Sequence, residues 1–193
     1  MEKNSNINNT AMNSNEVRLI YQICDYIINK TREINKTKKD NERIRMTCKR
    51  LQRIVYFSYV NYMIKTSGNK TMFKDEWYAW DSGPVIPDIY FAYDKYENGE
   101  LAPLKNKQKK CILSADIQIT IDEILELTSN IKDVEILNNE ARIIGGPWEQ
   151  SYESEDPYHD QVISDSSIYE FYKEKIPKPV KSKKCIKTIK YNS

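Results

Sequence analysis

A chain of 193 residues with 39% hydrophobic and 30% charged side chains is long enough to fold around one core without metals or disulfides, a balance that argues against wholesale disorder. The net charge of +2 conceals an asymmetry: residues 173–193 carry eight lysines against a single acid, Glu174, so a basic tail follows an acidic body. Cys24, Cys48, Cys111 and Cys185 lie far apart without a C-x-x-C pair and His159 is the sole histidine, which argues against zinc, while no apolar run nears the ~20 residues that span a bilayer.

In chain order, residues 1–16 are polar, Asn-rich and aperiodic, and read as a disordered lead-in with no signal-peptide core. Val17, Ile20, Tyr21, Cys24, Ile27 and Ile28 then recur at helical spacing and lay one apolar stripe along an amphipathic helix. Residues 31–45 turn charged and polar, a connector without a core face. A second helix is expected over 47–65, where residues 54–64 are apolar on nearly every side, so that other elements must enclose it. Residues 73–80 are aromatic enough for a short strand or hairpin arm, and Asp81-Ser82-Gly83-Pro84-Val85-Ile86-Pro87 reads as a rigid turn.

Pro87 can open a third helix carrying Ile89, Ala92, Tyr93 and Tyr96, which Asn98-Gly99 stops. A basic loop at 105–110 precedes weak strand candidates at 111–113 and 117–119. Thr120-Ile121-Asp122-Glu123 matches a capping box, with Ile124, Leu125 and Thr128 following at helical spacing. A further helix is expected over 131–144, broken by Gly145-Gly146-Pro147. After Trp148 comes an acidic loop, and Ser164 or Asp165 can cap a last helix that docks Ile168, Phe171 and Tyr172. Residues 177–193 read as a mobile basic tail, which leaves residues 17–176 as one mainly α domain with a small β-hairpin or short sheet.

Little here suggests catalysis. A nucleophile needs a base within reach, and His159 reads as a solvated loop residue. The carboxylates Glu153, Glu155 and Asp156 fit a charged loop better than a metal or acid/base site, and neither a phosphate loop nor a dinucleotide fingerprint occurs. No cofactor is expected, and reduced thiols in a cytoplasmic setting are.

What rises above background is Leu51-Gln52-Arg53-Ile54-Val55-Tyr56-Phe57, then Trp80-Asp81-Ser82-Gly83-Pro84-Val85-Ile86-Pro87, then Gly146-Pro147-Trp148. In this order they resemble the Panacea domain of SocA-like, phage-associated antitoxins: an L-Q-K-L-L-Y-F helix with Arg53 in the lysine position, followed by a W-x-x-G-P-V-x-P turn. The resemblance covers roughly residues 19–172. Family members often carry Thr-His shortly before the late tryptophan, where this chain has Ile144-Gly145-Gly146-Pro147-Trp148, so that histidine has no counterpart here.

The resemblance implies a helical domain that neutralises a protein toxin by direct binding, in some members as an adaptor to a protease. Leu51, Gln52, Tyr56, Phe57, Trp80, Gly83, Pro84, Val85, Pro87 and Trp148 are then expected to hold the fold. Partner contacts fall to exposed neighbours, with Asp81, Ser82, Glu149, Glu153, Glu155 and Asp156 as candidates. One alternative is a phage or mobile-element inhibitor of a host defence effector, with the acidic body as a nucleic-acid mimic. A second is a nucleic-acid-binding regulator that uses the tail and residues 36–50, whose binding would depend steeply on salt.

Overall fold

The computed structural model describes residues 18–93, 100–104, 113–155 and 160–176. The second helix, α2 (Cys48–Lys65), runs through the centre and touches the flanking helices on every side. Thr47 starts it by accepting the Arg50 N–H on its side-chain oxygen. Ile54, Val55, Tyr56, Tyr59, Val60 and Met63 are all buried, as a helix apolar around its whole circumference requires.

Around α2 pack α1 (Leu19–Lys36), α3 (Pro87–Tyr93), α4 (Ala115–Thr128), α5 (Val134–Ala141) and α7 (Asp165–Tyr172), while the short α6 (Pro147–Ser151) bridges α7 and the sheet. The sheet has three antiparallel strands, β1 (Trp77–Trp80), β2 (Gly83–Val85) and β3 (Val162–Ile163), in the order β2-β1-β3. Trp77 pairs with Ile163 and both are buried, whereas Tyr78 pairs with the exposed Val162, as the two-residue period of a strand demands. The chain is thus mainly α with a short sheet, and one core cluster runs from Ile20 to Tyr172.

The stripe of α1 buries Ile20, Ile23, Cys24, Ile27 and Ile28 as its spacing dictates. The helix continues through Lys36, however, into residues expected to connect. Its last turns do have a core side: Thr31 and Asn35 are buried, and the Asn35 amide accepts the Ile44 N–H and donates to the Ile44 carbonyl, both at 2.8 Å. A polar side chain that pairs a returning loop can be buried like an apolar one, and charge patterning does not register it.

Residues 117–119, expected as strand, lie inside α4, which begins at Ala115. The capping box falls with them: Thr120 sits mid-helix, buried, its hydroxyl bonded back to the Asp116 carbonyl at 2.8 Å. The helix expected over 131–144 is confined to α5, started by Asp133, which accepts the Glu135 N–H at 2.9 Å. Ser164 caps α7 by accepting the Ser167 N–H. Strand β3 was not anticipated, for two residues are too few to show alternation. Tyr96, Asn98-Gly99, residues 105–112, Asp156, His159, the lead-in before Arg18 and the tail from 177 lie outside the described residues.

Asp25 fastens the segment at 100–104 to α1, with Oδ1 accepting from the Leu104 N–H at 2.8 Å and the Tyr93 hydroxyl at 3.2 Å. Burial raises its pKa, and the two hydrogen bonds oppose that rise. A carboxyl whose pKa is raised on folding contributes stability that is present below its unfolded pKa and lost as pH rises through the folded value. Asp25→Asn keeps an acceptor without the charge, so its melting temperature at pH 7 should equal or exceed that of the parent, and this loss with rising pH should flatten. Asp25→Ala leaves the Leu104 N–H unpaired and should cost about 1–3 kcal/mol, measured by chemical denaturation across pH 4–8.

Candidate functional site

The three sequence motifs meet at one place, where α2 passes beneath the β1–β2 hairpin and α6 closes over its turn. The L-Q-R stretch supplies the floor. Gln52, buried in α2, donates from Nε2 to the Ile86 carbonyl at 3.0 Å and accepts the Ile86 N–H on Oε1 at 3.2 Å. A side-chain amide has one donor face and one acceptor face side by side, so it pairs with a backbone residue as a neighbouring strand would.

Arg53, one residue on, has no exposed surface and lies under Gly83. Gly83 has φ +113°, a region that side-chained residues rarely adopt, and a Cβ there would collide with Arg53 Nη1 and stand 3.1 Å from its Cζ. Burial pushes the Arg53 pKa down to about 10, with Tyr56 opposing and Arg142 adding to the fall. Its Nε and Nη1 form no hydrogen bond with the protein. On the same side of α2, Tyr56 meets the buried Trp77 edge-to-face with ring centroids 5.1 Å apart, and Tyr59 and Phe73 complete the aromatic cluster.

The outer side of the turn is held by α5 and α6. Arg142 donates from Nη1 to the Asp81 carbonyl at 3.1 Å, and the Trp148 indole N–H donates to the Trp80 carbonyl at 2.8 Å. Tyr152 stacks on Trp148 with centroids 4.6 Å apart, and its hydroxyl donates to Asp81 Oδ1 at 2.8 Å. That bond is the chief reason the Tyr152 pKa is raised. The Arg142 guanidinium lies 5.7 Å from the centre of the Trp148 ring. The late tryptophan is therefore joined to the early turn through backbone groups.

Most motif residues are interior: Leu51, Gln52, Tyr56, Gly83, Pro84 and Val85 are buried, while Phe57, Pro87 and Trp148 are half-buried. Trp80 departs from this pattern. Strand alternation sends Trp77 and Ala79 inward and turns Trp80 out, where its half-buried ring meets Tyr90 at 5.2 Å and Phe91 at 6.3 Å. Phe91 is 69% exposed and is the residue that sequence reading missed, since a single aromatic off the stripe of α3 has no pattern to mark it.

Among the expected contact residues, Asp81, Glu149, Glu153 and Glu155 are exposed and Ser82 is half-buried. Glu149 is also tied locally, for its Oε2 accepts the Gly145 N–H at 2.6 Å just before α6. The stretch after Trp148, expected as loop, stays helical to Ser151. Among the described residues no cluster of histidine, cysteine, aspartate or glutamate is arranged to hold a metal ion, and no helix is long and apolar enough to cross a membrane.

Comparison with protein families, with curated proteins and with solved structures finds no match to this chain.

The junction makes distinct demands on its two central residues. Gly83→Val should lower stability by about 1–3 kcal/mol through backbone strain alone, and by more where Arg53 cannot retreat. Gln52→Ala should cost about 1–3 kcal/mol for each Ile86 backbone group left unpaired. Arg53→Met, which replaces a buried charge by an apolar chain of like length, should be neutral or stabilising. Urea denaturation of the three variants checks the order; a collapse of Arg53→Met would mean that the guanidinium supports the turn.

Proposed function

We propose that this chain is an antitoxin-like protein that neutralises a protein toxin by direct contact, without chemistry of its own, in the cytoplasm. The observation that carries the reading is the exposed aromatic surface formed by Trp80, Tyr90 and Phe91 on the outer side of the motif hairpin. An exposed phenylalanine backed by two half-buried rings is the kind of anchor around which protein interfaces concentrate their binding energy. Beside it stand Asp81, at the turn, and Glu149, Glu153 and Glu155, on and after α6. Carboxylates around an apolar centre give a polar rim, which steers association and selects a basic partner surface.

The family resemblance supports the same reading through the hairpin itself. The L-Q helix and the G-P-V turn hold each other through Gln52, Ile86, Arg53 and Gly83, and so present Trp80 and Asp81 on a rigid support. Inhibition of a host defence effector is the second reading, favoured by the exposed carboxylates, which a nucleic-acid mimic would use in place of phosphates.

Phe91→Ala, and separately Glu153→Lys with Glu155→Lys, should change unfolding free energy by no more than about 0.5 kcal/mol, as exposed positions do. Each should weaken binding to a toxin encoded beside this chain at least tenfold, about 1.4 kcal/mol, and abolish growth rescue on co-expression. Folded variants that rescue as well as the parent would overturn the reading. Competition of partner binding by short duplex DNA, with rescue absent, would favour the nucleic-acid mimic.

A further inference from the structure

The aromatic face lies within reach of a segment whose chemistry complements it. The rings of Trp80, Tyr90 and Phe91 are in mutual contact, with centroids 5.2, 5.5 and 6.3 Å apart. Two constraints tie α6 to this hairpin, the Trp148 bond to the Trp80 carbonyl and the Tyr152 bond to Asp81. The exposed Glu153 and Glu155 follow directly after α6, which also packs against α7. Helix α7 ends at Tyr172, and the described chain stops at residue 176, so residues 177–193 depart from the neighbour of the acidic helix.

Those 17 residues contain six lysines and no acid, interleaved with Val180, Ile186, Ile189 and Tyr191. Extended at about 3.3–3.6 Å per residue they can span roughly 55–60 Å, well beyond what is needed to pass α6 and reach α3. A lysine stem also covers an aromatic ring while its ammonium reaches a carboxylate.

We propose that the chain's own segment 177–193 docks in cis on this face, with its lysines on the carboxylates after α6 and its apolar side chains on the rings around Phe91. The face is then covered in the free protein, and a partner must displace the segment. Local concentration favours this occupant: a tethered segment meets its site at an effective concentration in the millimolar range, so weak contacts suffice. The interaction is electrostatic in part, and salt that shortens the screening length should open it.

The test uses the full chain alone, with the photoreactive amino acid p-benzoylphenylalanine in place of Phe91 and an unchanged melting temperature as the folding control. After irradiation at low salt, mass spectrometry should place the crosslinks within residues 177–193 of the same chain, independent of protein concentration. Their yield should fall at least fivefold at about 1 M salt, where the screening length is near 3 Å. It should fall similarly when Glu153 and Glu155 are both replaced by glutamine. Crosslinks that join two chains, map to another segment or ignore salt would overturn the proposal, as would none at all. The inference uses the face assigned to the partner, but because no partner is present, its failure leaves the toxin-binding reading standing.

Discussion

The pairing of the Gln52 side chain with both backbone groups of Ile86 is the contact on which the rest of this architecture turns. A hairpin of four- and three-residue strands with a two-residue third strand is too small to hold itself in water. Here it is seated on the most enclosed helix of the protein. Gln52 pairs the chain as it leaves β2, Arg53 fills the space under Gly83, and Tyr56 packs against Trp77. These three contacts come from one and a half turns of α2, so the hairpin's height and orientation are set together. Pro87 then opens α3 at once, which fixes where Phe91 emerges.

A second device joins the outer helices. Tyrosines donate across elements to carboxylates: Tyr26 to Asp122 at 3.0 Å, Tyr59 to Asp165 at 2.6 Å, Tyr62 to Asp116 at 2.9 Å, and Tyr152 to Asp81 at 2.8 Å. In each pair the ring covers apolar surface and the hydroxyl ends on an anion, a charge-assisted bond stronger than a neutral one. The two conspicuous features of the composition, many tyrosines and an acidic body, thus serve each other. The acids used in this way are those on helices and their caps. Glu153 and Glu155, beyond the end of α6, remain exposed.

Elements with a strong internal period were legible in the sequence. The stripe of α1, the all-round apolarity of α2, the proline at the start of α3 and the serine cap of α7 each rest on neighbours within one segment. The errors share a different cause, for they sit where a distant partner decides the local outcome. Asn35 is helical and buried because Ile44 returns to it, and Thr120 is interior because α4 starts five residues before it. At the site, motif order pointed to the hairpin, and Gly83 has the positive φ expected of it. The inward role expected of Trp80 falls instead to Trp77, since strand register alone decides which of the two indoles faces the core.

That register has a consequence for how the motif divides its labour. Along the turn, Gly83, Pro84 and Val85 face inward and tolerate little change, because Arg53, α5 and the core leave no space for more volume. Trp80 and Asp81 face outward, yet their carbonyls are bound by Trp148 and Arg142, so their backbone cannot drift even though their side chains meet solvent. Contact residues fixed in this way lose little conformational freedom when a partner binds, and more of the contact energy is realised as affinity. A turn buried on one side and anchored by its own carbonyls on the other is at once scaffold and presenting surface, which explains why fold-holding and partner-facing residues alternate within one short motif.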